Sequence, residues 1–500
     1  MARLRPGALA ASLFLIIIFL STSAAAARQH HGLAVVASNS NEPAGGGGFV
    51  GVDGTQFVVG GRGGTNGGNR TTIYFSGFNA YWLMLLASDP ARRPKVVAAF
   101  RQASDHGLNL ARTWAFSDGG DAPLQSAPGV YDEAMFQGLD FVIAEAGRHG
   151  IYLLLCLVNN FPDFGGKRQY VAWAREAGHG GLATADHFFN TTVVKDYYKS
   201  HVKRVLTRVN TVTGVAYRDD PTILGWELMN EPRCDADPTG AMVQAWVEEM
   251  APYVKSVDGG NHLVTAGLEG FYGAGAHESK DLNPWGIYYG TNFVATHLAA
   301  GVDFATIHLY PDVWLWGSAP AKQAAFLRNW TRSHAEAAEL YLAKPLLVTE
   351  YGKFLWEGVA NETQRDGFLA LVLDSIYDSA KGGGPIVGGA FWQLLDPGMD
   401  ALRDGYEIIL PEDRRAATII GNHSRLLAEL NGQDVEEVRR RRRRRRRGTH
   451  NSRKVHVAAD TTSGRSSDDD DTPRLSMSLL VRFVSSLFRS VSSSPFSSSA

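Results

Sequence analysis

Cysteine is scarce: the 500-residue chain has only 2, Cys156 and Cys234. That excludes the disulfide frameworks that hold small secreted domains together. Cys156 lies inside an apolar run and Cys234 follows an Asn-Glu-Pro turn, so two free thiols are expected. Also missing is any His-Glu-x-x-His or comparable ligand cluster, which argues against metal-dependent hydrolysis. The turn after the first strand carries no Gly-x-Gly-x-x-Gly, the fingerprint of a dinucleotide site. No cofactor and no metal are therefore expected. Apolar runs of the roughly 20 residues needed to cross a bilayer are absent too. The longest, about Leu9 to Leu20, follows Arg3 and Arg5 and precedes small residues ending at Ala27, the pattern of a secretory signal over residues 1–27. We thus expect export to the extracellular space and no membrane attachment once the signal is removed. Net charge is small, −2, but by cancellation. From Arg439 onward fifteen Lys/Arg oppose five Asp, a net +10, so everything before it carries −12. That acidic body is unsuited to nucleic acid.

The sequence offers an export-compatible feature in five Asn-x-Ser/Thr sequons, at Asn69, Asn190, Asn329, Asn361 and Asn422, which read as glycan acceptors along that route. Residues 28–48 read as a flexible N-terminal segment. "GGGGFVGVDGTQFVVGGRGGTNGGNR" holds two short alternating runs between glycines, expected to form a small β-hairpin that caps one end of the main fold. Eight apolar, β-branched or aromatic runs follow: "TTIYFSGFN", "LNLARTWAF", "IYLLLCLVNN", "TILGWELMN", "HLVTAGLEG", "VDFATIHLY", "PLLVTEYG" and "IVGGAFWQL". Helical patterns such as "RRPKVVAAFRQASDHG" and "TQRDGFLALVLDSIYDSA" separate them. Strand and helix alternating eight times predict an α/β fold, a (β/α)8 TIM barrel over residues 49–430, with an insertion after strand three; a monomer is expected. A doubly wound open sheet is the structural alternative. Residues 431–500, with nine consecutive Arg, four consecutive Asp and Ser-rich sequence, read as a disordered tail.

In such a barrel, catalytic groups sit at the C-terminal strand ends. Strand four ends in Asn230 and Glu231, strand seven in Glu350. Two carboxylates projected from opposed parts of a rigid barrel suit acid and nucleophile roles at a glycosidic bond. Either Glu alone would more readily be an ordinary loop carboxylate; it is the pairing that favours chemistry. Glu227, about 13 Å earlier along strand four at roughly 3.3 Å per residue, is expected inside the barrel, paired with a polar side chain. Arg112 and Trp114 close strand two, Asn159 strand three, His308 and Tyr310 strand six, and Trp392 strand eight. Arg112 could hold the nucleophile ionised and Tyr310 could donate to it, although a lone Arg is more often a surface cation. Asn230 could bind a sugar hydroxyl or simply end its strand. His308 could orient Glu231 or be a satisfied core histidine. Tyr81, Trp82, Trp114, Trp314, Trp316, Trp356 and Trp392 are the candidate aromatic platforms for sugar faces.

"NEPRC", "TIHLYPD", "VTEYGKF", "GAFWQL", "GFNAYWLM" and "GLNLARTWAFSDGG" together resemble the endo-β-1,4-mannanases of glycoside hydrolase family 5, over about Phe49 to Leu430. The resemblance implies Glu231 as acid/base and Glu350 as nucleophile. Arg112, Asn230, His308, Tyr310 and Trp392 would surround them, Trp114 and Asn159 would contact sugar, and Arg233 would serve the leaving-group side. It implies a β-mannan substrate (mannan, galactomannan or glucomannan) and a retaining mechanism. A β-1,4-glucanase or a transglycosylase using the same pair, and a catalytically silent carbohydrate-binding barrel, are the alternatives. The Arg-rich tail departs from the family pattern.

Overall fold

The computed structural model describes residues 48–60, 70–273, 282–284, 286–355 and 360–444. The expected signal peptide, all of the flexible segment but Gly48, the sequon Asn69, Trp356, and the sequence from 445 onward lie outside the described residues. No helix among the described residues is long and apolar enough to cross a membrane.

Eight parallel strands form the barrel: one Phe75–Asn79, two Leu110–Trp114, three Tyr152–Cys156, four Ile223–Glu227, five Leu263–Thr265, six Ala305–Leu309, seven Leu346–Tyr351 and eight Ile386–Phe391. Their ladder runs five-four-three-two-one-eight-seven-six. Strands five and six meet through single bonds: Asp303 N donates to Val264 O and His308 N to Glu269 O, both at 2.8 Å. The barrel strands are buried nearly end to end, as expected when helices cover one face and packed side chains the other. Helix starts follow local sequence. Asp132 accepts from Met135 N ahead of the helix Glu133–Arg148, and Asn361 forms a capping box with Gln364 ahead of Glu362–Lys381.

The expected hairpin is a three-stranded antiparallel sheet, Gly51–Asp53, Gln56–Val59 and Thr71–Ile73. It packs under the N-terminal strand ends: Phe57 lies edge-on to Phe75 and Phe304 at 5.5 and 5.3 Å, and Gln56 Nε2 donates to Gly384 O at 2.9 Å.

The tail boundary at 431 needs correction. Residues 432–434 run antiparallel to Thr71–Ile73, with Thr72 N donating to Gln433 O and Gly432 N to Thr72 O, each at 3.0 Å. A helix follows over 435–444. Val435 and Val438 are buried, while Arg439 pairs with Asp53 and Arg442 with Glu339. Composition alone misreads this stretch because two valines and acidic groups far away in sequence give its first arginines a docking place.

Candidate active site

Arg112, fully buried in the middle of strand two, ties four neighbours together. Its Nε and Nη2 donate to the two oxygens of Glu227 at 2.9 and 2.5 Å. Its Nη1 donates to Asn79 Oδ1 at 3.0 Å and to Glu350 Oε1 at 2.5 Å, and its Nη2 also reaches Asn230 Oδ1 at 2.7 Å. Burial opposes the guanidinium charge, but Glu227 and Glu350 outweigh it and hold the group well above its usual range. Glu227 thus lies inside the barrel beneath the site, where parity along strand four puts it. Asn230 Nδ2 in turn donates to Asn159 Oδ1 at 3.0 Å, so Asn159 orients Asn230 from the neighbouring strand end.

Glu231 adopts φ +48°, a left-handed conformation that costs a non-glycine residue on the order of 1–3 kcal/mol. With Pro232 next, this turns the side chain off the strand axis toward the barrel mouth. Its amide donates to Gly267 O at 3.0 Å. Gly267 has φ +86°, and a Cβ there would lie 1.9 Å from Met229 O, so only glycine lets strand five approach this closely. A bulge between Ile307 and His308 sets His308 opposite Glu350 in the ladder. His308 Nδ1 is 2.6 Å from Glu231 Oε1 and 3.7 Å from Glu350 Oε2. Arg233 lies 3.8 Å from Glu231 Oε2, is gripped by Glu269 at 2.6 and 2.7 Å, and sits 3.8 Å over the Tyr289 ring.

Burial raises the pKa of both carboxylic acids, Arg233 and Arg112 opposing this at Glu231, and His308 and Arg112 at Glu350. Their donors distinguish them. Glu350 accepts from Arg112 and, at 2.8 Å, from the Tyr310 hydroxyl, both of which favour carboxylate. Glu231 has only the His308 ring nitrogen at short range, an imidazole whose pKa burial lowers. A proton shared between the two sites therefore resides on Glu231. Glu231, His308 and Glu350 offer donor atoms within 4.8 Å of one another, the one group among the described residues spaced to hold a metal ion. A cation there would compete with the Arg112 guanidinium and the Tyr310 proton for Glu350, so the set suits proton chemistry better.

Trp392 is partly exposed at the end of strand eight, near-parallel to Tyr81 at 5.8 Å and tilted against Trp114 at 6.2 Å. Trp114 stacks on Phe116 at 5.3 Å, with Arg112 5.0 Å from its ring. Trp82 is no platform: it is fully buried, with its indole N–H donated to Leu394 O at 3.0 Å. Trp314 is packed against Phe271 and Trp330, whereas Trp316 is 53% exposed.

Three groups at this site were not singled out from sequence: Asn79, which accepts from Arg112; Glu269, which holds Arg233; and Asp404, which accepts the Trp392 indole N–H at 2.7 Å. Asn79 closes strand one and Glu269 follows strand five by four residues, so the strand-end argument could have found them. Asp404 lies in the loop after strand eight, and no sequence pattern marks it.

Residues 48–396 match the family model described as "GH family 5 beta-mannosidase-like". The chain is 77% identical over 397 residues to mannan endo-1,4-β-mannosidase 3 of Oryza sativa subsp. japonica, covering 78% of this chain and 83% of that protein. Among solved structures, the endo-1,4-β-D-mannanase of Thermotoga petrophila is similar at TM-score 0.60 and 32% identity, covering 71% of this chain and 100% of that one. The endo-1,4-β-mannanase of Rhizomucor miehei is similar at TM-score 0.63 and 30% identity, covering 76% and 99%.

Proposed function

The chain belongs to glycoside hydrolase family 5, in its β-mannosidase-like group, and from that premise we propose a secreted enzyme that cleaves internal β-1,4-mannosidic bonds of mannan, galactomannan and glucomannan with retention of configuration. One observation carries the reading: two buried carboxylic acids whose donor oxygens lie within 4.8 Å and whose hydrogen-bond donors are unequal. Retaining glycosidases set their carboxyl groups about 5–5.5 Å apart, inverting ones about 6.5–9.5 Å, and the close approach of one oxygen from each here favours the shorter class.

In the first step Glu350, held as carboxylate by Arg112 and Tyr310, attacks the anomeric carbon while Glu231 gives its proton to the departing glycosidic oxygen. The C–O bond to the leaving sugar breaks as the bond to Glu350 Oε forms. In the second step Glu231, now a carboxylate, takes a proton from water, whose oxygen displaces Glu350 and regenerates both groups. His308 steadies Glu231 through both transfers. Arg112 contributes a fixed positive charge at the nucleophile without reorganising during the reaction. Asn230, oriented by Asn159 and Arg112, is placed to meet the sugar hydroxyl beside the reacting carbon. Arg233, on the outer side of Glu231, serves the leaving-group side. Secretion to the cell wall is supported by the leader-like residues 1–27 and by the sequons. Asn190, Asn361 and Asn422 are exposed.

The test is to offer purified protein mannan, glucomannan, cellulose and xylan side by side, following product lengths and the first-formed anomer by NMR. Oligosaccharides from mannans, born as the β-anomer, are expected. Initial α-anomer, or cleavage of cellulose in place of mannan, would overturn the reading. Glu350→Ala should abolish turnover, and wild-type activity in that variant would remove Glu350 as nucleophile.

A further inference from the structure

Asp404 sits behind the indole of Trp392. Its Oδ2 accepts from Trp392 Nε1 at 2.7 Å and from Gln393 Nε2 at 2.9 Å, and its Oδ1 accepts from Tyr406 N at 3.0 Å. The loop presenting it is itself held: Glu407 Oε2 accepts from Asp404 N and Gly405 N at 3.1 and 2.7 Å, and Leu355 N donates to Gly405 O at 2.7 Å. Tyr81, near-parallel to the indole, constrains it from the side. The ring is thus fixed at its N–H edge by an acidic group and along a face by a phenol.

Resting on the hydrolytic reading above, we propose that Asp404 is a positioning residue that acts through Trp392, its carboxylate increasing the electron density of the indole face where the sugar becomes positively charged. An aromatic face attracts cationic charge through its quadrupole, and a carboxylate on the indole N–H deepens that negative potential. The ground-state sugar is neutral and the transition state resembles an oxocarbenium ion. The attraction is therefore stronger in the transition state, and its loss should appear in kcat more than in KM.

Asp404→Asn keeps an acceptor oxygen for the indole and removes the charge; Asp404→Ala removes both. The experiment measures mannan hydrolysis at pH 7, where the carboxyl, which burial pushes up to about 6, is ionised. We expect Asp404→Asn to lower kcat by roughly tenfold, equivalent to about 1.4 kcal/mol, with KM within about twofold. Asp404→Ala should raise KM as well. In a Trp392→Phe background, which lacks the N–H, Asp404→Asn should change kcat by less than about twofold. An unchanged kcat in Asp404→Asn, or the same tenfold loss in both backgrounds, overturns the proposal. Near-UV circular dichroism without substrate should show a changed tryptophan signal in Asp404→Ala and a retained one in Asp404→Asn. Identical spectra for all three proteins would refute the anchoring whatever the substrate. Should Asp404→Asn not fold, Asp404→Ser, uncharged and with an acceptor oxygen, takes its place. A wild-type protein inert on mannan refutes the hydrolytic reading, while the spectra judge the anchor separately.

Discussion

Replacing Arg112 by Met should strand a charge in the barrel, and a second replacement should rescue stability without rescuing activity. Both oxygens of Glu227, which is fully buried, are held by Arg112 Nε and Nη2. Removing one partner of a buried ion pair costs about 3–5 kcal/mol, because the other charge is left uncompensated. Asn79 and Asn230 lose a donor to their Oδ1 atoms and Glu350 loses one to its Oε1, adding on the order of 1–3 kcal/mol each. Against a total stability of about 5–15 kcal/mol, Arg112→Met is severely weakened. Arg112→Met with Glu227→Met puts two apolar side chains where the pair stood, an exchange that is often neutral. The double variant should therefore recover the part of the loss that comes from Glu227 and keep the rest, giving a coupling energy of about 3 kcal/mol or more in a urea-unfolding double-mutant cycle. Activity should not recover in either variant, since Glu350 lacks its guanidinium in both. Additive stabilities would refute the buried-charge argument. A double variant turning over at wild-type rate would refute the role of Arg112 at Glu350.

Glu231→Gln should depress polysaccharide hydrolysis by about 10²–10⁴-fold, the usual contribution of acid–base catalysis. Formation of the glycosyl-enzyme from an aryl mannoside with an activated leaving group, which departs with little protonation, should fall far less in burst kinetics. Equal losses would contradict the acid assignment. Gly165→Ala should destabilise the protein by more than about 1 kcal/mol, because Gly165 has φ +88° and a Cβ would lie 1.9 Å from Asp118 O in the facing loop; an unchanged urea midpoint would contradict that. Acid should weaken the fold through His201 and His423, which burial holds near pKa 4. Their folded values lie below the ordinary one of about 6.5, so the stability they lend is present above pH 6.5 and is lost as pH falls toward 4, at about 1.4 kcal/mol per unit for each histidine. His423→Gln should flatten part of that slope in unfolding measured across the range.

The barrel was legible because its strands repeat a local rule, an apolar run ending in polar or aromatic residues, and chemistry gathers at those ends. Glu231, Glu350, Arg112, His308 and Tyr310 were found that way, and the structure brings them together. The rule says which end a residue occupies but not what it touches. It could not assign Asn79 and Glu269 as partners of Arg112 and Arg233, since hydrogen bonding between strand ends depends on barrel stagger. Trp82 was misplaced for the same reason: a residue one turn beyond a strand end can face the core. Asp404 belongs to a loop whose path is set by its contacts with Gln393, Tyr406 and Glu407, none of which has a periodic signature.

Residues 432–434, bonded to Thr72 across about 360 positions of sequence, bear on how this chain acquires its fold during synthesis. The sheet beneath the barrel lacks its last edge until those residues have been made, and strand one cannot pair with strand eight until Phe391 is in place. A nascent chain growing at about 5–20 residues per second therefore spends tens of seconds with strand one unpaired on one side. The burden of guarding that edge falls on whatever accompanies the chain as it is made, and closure is among the last events, coming only once both ends of the fold exist.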